Sequence, residues 1–180
     1  MHISRARVCD LFLDTAECNA HTTAADVLWS GTPLLTLPRY DYKMCSRMAA
    51  SILRGALPRT PIEVRQQAET DLIASSEEEY EDLAVRLAMG LRYGSKDKGT
   101  EGVGVGRLME LRKMLTDARW SSALFDTRRW VRDLEDAYEE AWRRWVDGEG
   151  GDIWLDDVPR GGRRSKIKSE GGSRINETDC

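Results

Sequence analysis

Four side chains in one short stretch have the types and spacing to bind a charged ligand: His21, Thr22, Thr23 and Asp26, within CNAHTTAADVLWSGTP (18–33). A histidine and two threonines directly before an apolar run mark a helix start. Such a start presents backbone N–H groups without intrahelical partners and about half a positive charge, a combination that binds phosphate. The two hydroxyls add donors at the same place. The imidazole, held neutral beside a helix N-terminus, donates through one ring nitrogen. Asp26, one turn further on, can accept the hydroxyls of a ribose. A ligand-free alternative stands beside this one: Thr23-x-x-Asp26 also fits a capping box, and His21 can satisfy itself on a loop carbonyl.

The flanking elements must position this stretch. VCDLFLD (8–14) is predicted as a buried strand and 22–30 as a short helix, stopped by Gly31 and barred from continuing by Pro33. PLLTLP (33–38) is predicted as a second strand. Residues 43–58 form a helix whose expected apolar face is Met44, Met48, Ile52 and Leu53. Strand, helix, strand, helix with short loops predicts an α/β fold with a parallel sheet, whose ligands sit at the carboxyl ends of the strands.

Beyond Pro58 the pattern changes. Residues 59–72 are polar and expected to be irregular or weakly helical. SSEEEYEDLAVRLAMGL (75–91) is a helix with a Ser76/Glu79 capping box and glutamates in its first turn. Residues 94–106 read as a loop. Gly102-x-Gly104-x-Gly106 hints at a phosphate loop, but no strand precedes it and a linker is the better reading. A further helix spans 107–120. The longest, over 127–148, carries an apolar stripe of Trp130, Leu134, Tyr138, Trp142 and Trp145, expected to pack on the rest of the protein, with Glu139/Arg143 and Glu140/Arg144 paired on its wet side. Residues 148–180 read as a disordered tail, basic from Gly162 onward.

Composition narrows the function classes. The 180 residues carry a net charge of −4, which argues against general nucleic-acid binding, and 41% are hydrophobic, enough for a packed core. No apolar run reaches the ~20 residues of a membrane span, and the N-terminus shows no secretory signal. Cys9, Cys18, Cys45 and Cys180 are scattered without a CxxC, as expected for reduced thiols in a cytoplasmic or nuclear protein. Cys18 and His21 have half-site spacing for zinc, but no second Cys/His pair lies near.

The blocks H-x-x-R (2–5), D-x-x-L-D-T (10–15), C-N-x-H-T-T-x-x-D-V-L-W-x-G-T-P (18–33) and T-x-P (36–38) occur here in order. With SRMAAS (46–51), EEYEDLAVRL (78–87) and SSALFDTRRWVRDLEDAYEEAW (121–142), they closely resemble the nucleotide-binding half of the protein O-GlcNAc transferases, over roughly residues 2 to 147. The resemblance implies a partial Rossmann-like C-terminal lobe of a GT-B glycosyltransferase over residues 1–147. It implies that His2 and Arg5 face the uracil of UDP-N-acetylglucosamine, that His21, Thr22 and Thr23 hold its diphosphate, and that Asp26 binds its ribose. It further implies inverting transfer of the sugar to Ser or Thr hydroxyls of intracellular proteins with no metal or other cofactor; the sequence offers no D-x-D triplet to hold one.

The family's first lobe, its tetratricopeptide repeats, its diphosphate-binding lysine and its acid/base groups would lie upstream of Met1. The chain is therefore expected to be part of a longer enzyme, to bind UDP at most and to transfer nothing alone, and no general base is assigned. Segments 38–47, 58–67 and 94–106 depart from the family pattern. The O-fucosyltransferases, a related group, are the alternative for the donor sugar, and a non-catalytic nucleotide-binding or interaction module is the alternative for the function.

Overall fold

The computed structural model describes residues 5–94 and 104–153. Its parallel core is small. Strand β1 (Phe12–Leu13) pairs in parallel with β2 (Leu34–Leu35), Phe12 against Leu34 and Leu13 against Leu35. A parallel bridge from Thr36 to Ile73 adds a third chain segment on the other side of β2. The ladder is continued by Asp14 N–H donating to the Leu35 carbonyl at 3.0 Å and Ala74 N–H donating to the Thr36 carbonyl at 2.9 Å. The strand expected over 8–14 is thus paired only near its end. Residues 5–9 turn instead, with Val8 N–H donating to the Arg5 carbonyl at 3.1 Å, and Val8 is exposed.

Helix α1 (Thr22–Trp29) crosses between the two strands. Ala24, Val27 and Leu28 fall on one face at i, i+3 and i+4 and are buried, which docks the helix on the core. Gly31 ends it at φ +85°, a left-handed conformation that favours glycine, and its hydrogen faces the Thr116 side chain.

The predicted helix over 43–58 divides into a 3-10 turn (Met44–Ser46) and helix α2 (Met48–Ala56). The expected face is met in part: Leu53 is buried and Ile52 packs against the core, joined by Ala49, Ala50 and Ala56, whereas Met44 is exposed. Small alanines, rather than the flexible methionines, form the surface that lets α2 approach α1 closely. Residues 62–72, expected to be irregular or weakly helical, form helix α3 (Ile62–Leu72) behind Pro61, and bury Ala68, Asp71 and Leu72. The buried residues lie at its carboxyl-terminal half, while Ile62 and Val64 in its first turn are exposed.

Helix α4 (Glu77–Gly90) starts as expected: the Ser76 hydroxyl accepts from Glu79 N–H at 3.1 Å. The Glu79 carboxylate turns to the N–H and hydroxyl of Ser75 rather than of Ser76, and these bonds lower its pKa. Strands β3 (Arg92–Tyr93) and β4 (Gly104–Val105) form an antiparallel pair, so the end of the expected 94–106 loop is a strand; Gly102 lies outside the described residues. Gly106, at φ +114°, opens helix α5 (Arg107–Ala118), whose Leu108, Leu111 and Leu115 join the core with Leu28, Leu34, Leu53, Leu57 and Leu72.

The chain divides into two compact units at Asp126 and Thr127. The second contains helix α6 (Thr127–Asp147). Within this unit, Trp130, Tyr138, Trp142 and Trp145 of the expected stripe are exposed. The Glu140/Arg144 pair forms at 2.7 Å, but Arg143 pairs with Glu140 and Asp147 rather than with Glu139. Asp152 accepts from the Arg144 guanidinium at 2.8 Å through its carbonyl, which folds 148–152 back on the helix end. The remainder of the expected tail, from Trp154, lies outside the described residues.

Candidate functional site at the start of α1

A buried carboxylate at the carboxyl end of β1 organises the loop that leads into α1. One oxygen of Asp14 accepts from Ala20 N–H at 2.7 Å and the other from the Thr36 hydroxyl at 2.7 Å, while the Tyr80 hydroxyl donates to the Asp14 carbonyl at 2.7 Å. Burial raises the pKa of Tyr80, with the Asp14 charge adding to it, so the phenol stays protonated as donor. Asn19, also buried, donates to the Thr15 carbonyl at 2.9 Å, and its amide oxygen accepts from Ala49 N–H at 3.4 Å. Residues 15–20 are thereby fixed at both ends against the two strands and α2. None of these partners was singled out in the sequence; the only available signal was a polar residue ending an apolar strand, in D-x-x-L-D-T.

The loop delivers His21 to the N-cap of α1, at φ −104° and ψ −89°, with no side chain capping the helix among the described residues. The capping-box alternative for Thr23 and Asp26 is therefore not realised. Thr22 and Thr23 are exposed, and Asp26 is half-buried. His21 is half-buried, and its Nε2 is enclosed without a hydrogen-bond partner among the described residues. The enclosed ring nitrogen and the two exposed threonines stand at consecutive positions of one helix start, all of types able to donate hydrogen bonds.

The structure brings His21, Thr22, Thr23 and Asp26 together on the first turns of one helix. It does not bring Arg5 to them by any described contact. Arg5 is exposed on the turn before β1, a segment tied by the Thr32 hydroxyl donating to the Ala6 carbonyl at 2.8 Å, at the amino ends of the strands. His2 lies outside the described residues. Among those residues no group of three or more His, Cys, Asp or Glu side chains could hold a metal ion, and no helix is long and apolar enough to cross a membrane.

Residues 1–134 match Glycosyl transferase family 41. The chain belongs to that family. Over 149 residues it is 38% identical to the probable UDP-N-acetylglucosamine--peptide N-acetylglucosaminyltransferase SEC of Arabidopsis thaliana, covering 82% of this chain and 12% of the relative. Over 148 residues it is 33% identical to the UDP-N-acetylglucosamine--peptide N-acetylglucosaminyltransferase of Caenorhabditis elegans, covering 82% of this chain and 10% of that one. Among solved structures, an O-GlcNAc transferase mutant of Thermobaculum terrenum aligns with a TM-score of 0.57 at 28% identity, over 81% of this chain and 23% of the other. The chain thus spans about a tenth of the length of these curated relatives. The α/β arrangement, with β1, α1 and β2 as its parallel unit, is the family-41 glycosyltransferase fold that the sequence resemblance implied.

Proposed function

We propose that this chain supplies the donor-binding part of a UDP-N-acetylglucosamine:protein N-acetylglucosaminyltransferase, acting on Ser and Thr hydroxyls of protein acceptors. Residues 1–147 form the donor-binding portion. The N-terminus of α1 takes the diphosphate, with the N–H groups of its first turn, the Thr22 and Thr23 hydroxyls and His21 Nε2 as donors. Asp26 accepts from the ribose, and His2 and Arg5 address the uracil. No metal is required, because the charge that develops on the departing UDP is met by the helix start and its hydroxyls. Donors fixed in advance where charge develops are the largest single source of stabilisation in many transferases. Acceptor binding and the general base belong to parts of the protein outside this segment, so the chain alone binds UDP and transfers no sugar. The protein works in the cytoplasm or nucleus, where its acceptors are.

The observation that carries this reading is the enclosed Nε2 of His21, without a partner among the described residues, at a helix start that the His21 side chain does not cap. Calorimetric titration with UDP tests it. His21→Ala and Thr22→Ala should each weaken binding about tenfold or more, the worth of one hydrogen bond to a charged group. Unchanged affinity in both variants would refute the assignment.

A further inference from the structure

Cys18 lies in the loop before α1, and Cys45 lies in the 3-10 turn before α2. The fold brings these two segments into register. Asn19 N–H donates to the Cys45 carbonyl at 2.8 Å, and the Cys45 thiol donates to the Glu17 carbonyl, the peptide oxygen next to Cys18, at 3.8 Å. A disulfide needs Cα atoms about 4.4–6.8 Å apart, and the backbone bond between Asn19 and Cys45 holds the two segments side by side. The pairing is held by side chains as well. The Glu17 carboxylate accepts from Arg39 at 3.0 Å, from the Tyr40 hydroxyl at 2.9 Å and from Lys43 at 3.3 Å, which ties 39–43 to 17–18. Cys18 is exposed and Cys45 half-exposed, so a small oxidant reaches them.

We propose that Cys18 and Cys45 are a reversible dithiol–disulfide site, oxidised by peroxide. Cys18, as its thiolate, attacks one peroxide oxygen. The O–O bond breaks, one oxygen leaves as water, and Cys18 becomes a sulfenic acid. The Cys45 sulfur then attacks the Cys18 sulfur, loses its proton, and expels the hydroxyl as a second water. Two electrons pass from the two sulfurs to the peroxide, and a thiol reductant reverses the change. Because the 17–19 backbone is already bonded to Cys45, the disulfide staples the loop preceding α1 to the turn preceding α2. The neighbouring thiol holds the Cys18 pKa up, with the Lys43 ammonium opposing it, so the reaction accelerates as pH rises above neutral.

The test uses the full 180-residue chain carrying Cys9→Ser, since Cys9 would otherwise share a tryptic peptide with Cys18. Hydrogen peroxide should remove two of the three remaining thiols, link the Cys18 and Cys45 peptides in non-reducing mass spectra, and raise Tm. Dithiothreitol should restore all three. Adding Cys45→Ser should abolish the link and the Tm shift. A link to Cys180, sulfinic acid on Cys18 without a link, or a Tm shift that survives Cys45→Ser would overturn the proposal.

Discussion

Removing the Asp14 carboxylate tests how the site is built. Asp14→Ala deletes two bonds of 2.7 Å to a charged acceptor and leaves the Thr36 hydroxyl, fully buried, and the Ala20 N–H without their partner. A hydrogen bond to a charged group contributes about 1.5–3 kcal/mol, and the orphaned partners add cost. The two bonds share one carboxylate and are not additive, so the expected loss is about 3–4 kcal/mol, a large part of the ~5–15 kcal/mol that holds a domain folded. Asp14→Asn keeps the shape: its oxygen can accept from Ala20 and its NH2 can donate to the Thr36 oxygen. The loss should then be only about 1–2 kcal/mol, the difference between charged and neutral bonds. Urea denaturation reads both values from the midpoint at constant m. An Asp14→Ala cost under about 1 kcal/mol, or an asparagine variant as damaged as the alanine one, would contradict this role of the carboxylate.

Gly106→Ala should destabilise more than Gly31→Ala in thermal melts. Both have positive φ, but a Cβ at Gly106 meets the rigid Gly90 carbonyl oxygen, whereas at Gly31 it meets the Thr116 hydroxyl, which can rotate. Ser76→Ala should cost about 1 kcal/mol in urea through loss of the α4 cap, and Ser76→Gly a few tenths. Hydrogen bonds from Arg143 and Arg144 hold the Glu140 carboxyl at about 2, so its support of α6 is complete above the ordinary carboxylate range and fades as pH falls from about 4.5 through about 2. Side-chain carboxyl NMR should show Glu140 titrating last among the glutamates. The bonds from Tyr40 and Lys43 to Glu17 lower its pKa in the same sense, so the tie between 17–18 and 39–43 should also loosen in acid.

Where the sequence was legible, one local signal sufficed. The α1 start follows from CNAHTT before an apolar run, and Gly31-x-Pro33 ends the helix. Ser76 and Glu79 announce α4, because capping chemistry needs only neighbours in sequence. Position 8–14 misled because alternation cannot say how much of an apolar run finds a strand partner; pairing depends on Pro33–Leu35, twenty residues away. Helix α3 reads only weakly because its apolar residues split: Ala68 and Leu72 dock on the core whereas Ile62 and Val64 are exposed, and tertiary packing outweighs weak amphipathicity. On α2, Ile52 and Leu53 were readable, while the buried alanines were not, because a small residue carries little periodic signal of its own. Within the site, the residues that would touch a ligand were readable from their types. Those that hold them in place, Asp14, Asn19, Thr36 and Tyr80, meet across up to 66 positions of sequence and could not be read from local pattern.

The central claim is that the start of α1 binds the diphosphate of a uridine nucleotide through His21 and its neighbours. Nitrogen-15 NMR of the His21 imidazole and of the Thr22 and Thr23 amides during UDP addition tests it directly. All three should shift together along one saturating curve, with Nε2 taking up the bond it lacks in the free protein, while GDP produces a weaker effect. Resonances of His21, Thr22 and Thr23 that stay in place while UDP binds elsewhere, or does not bind, would contradict it.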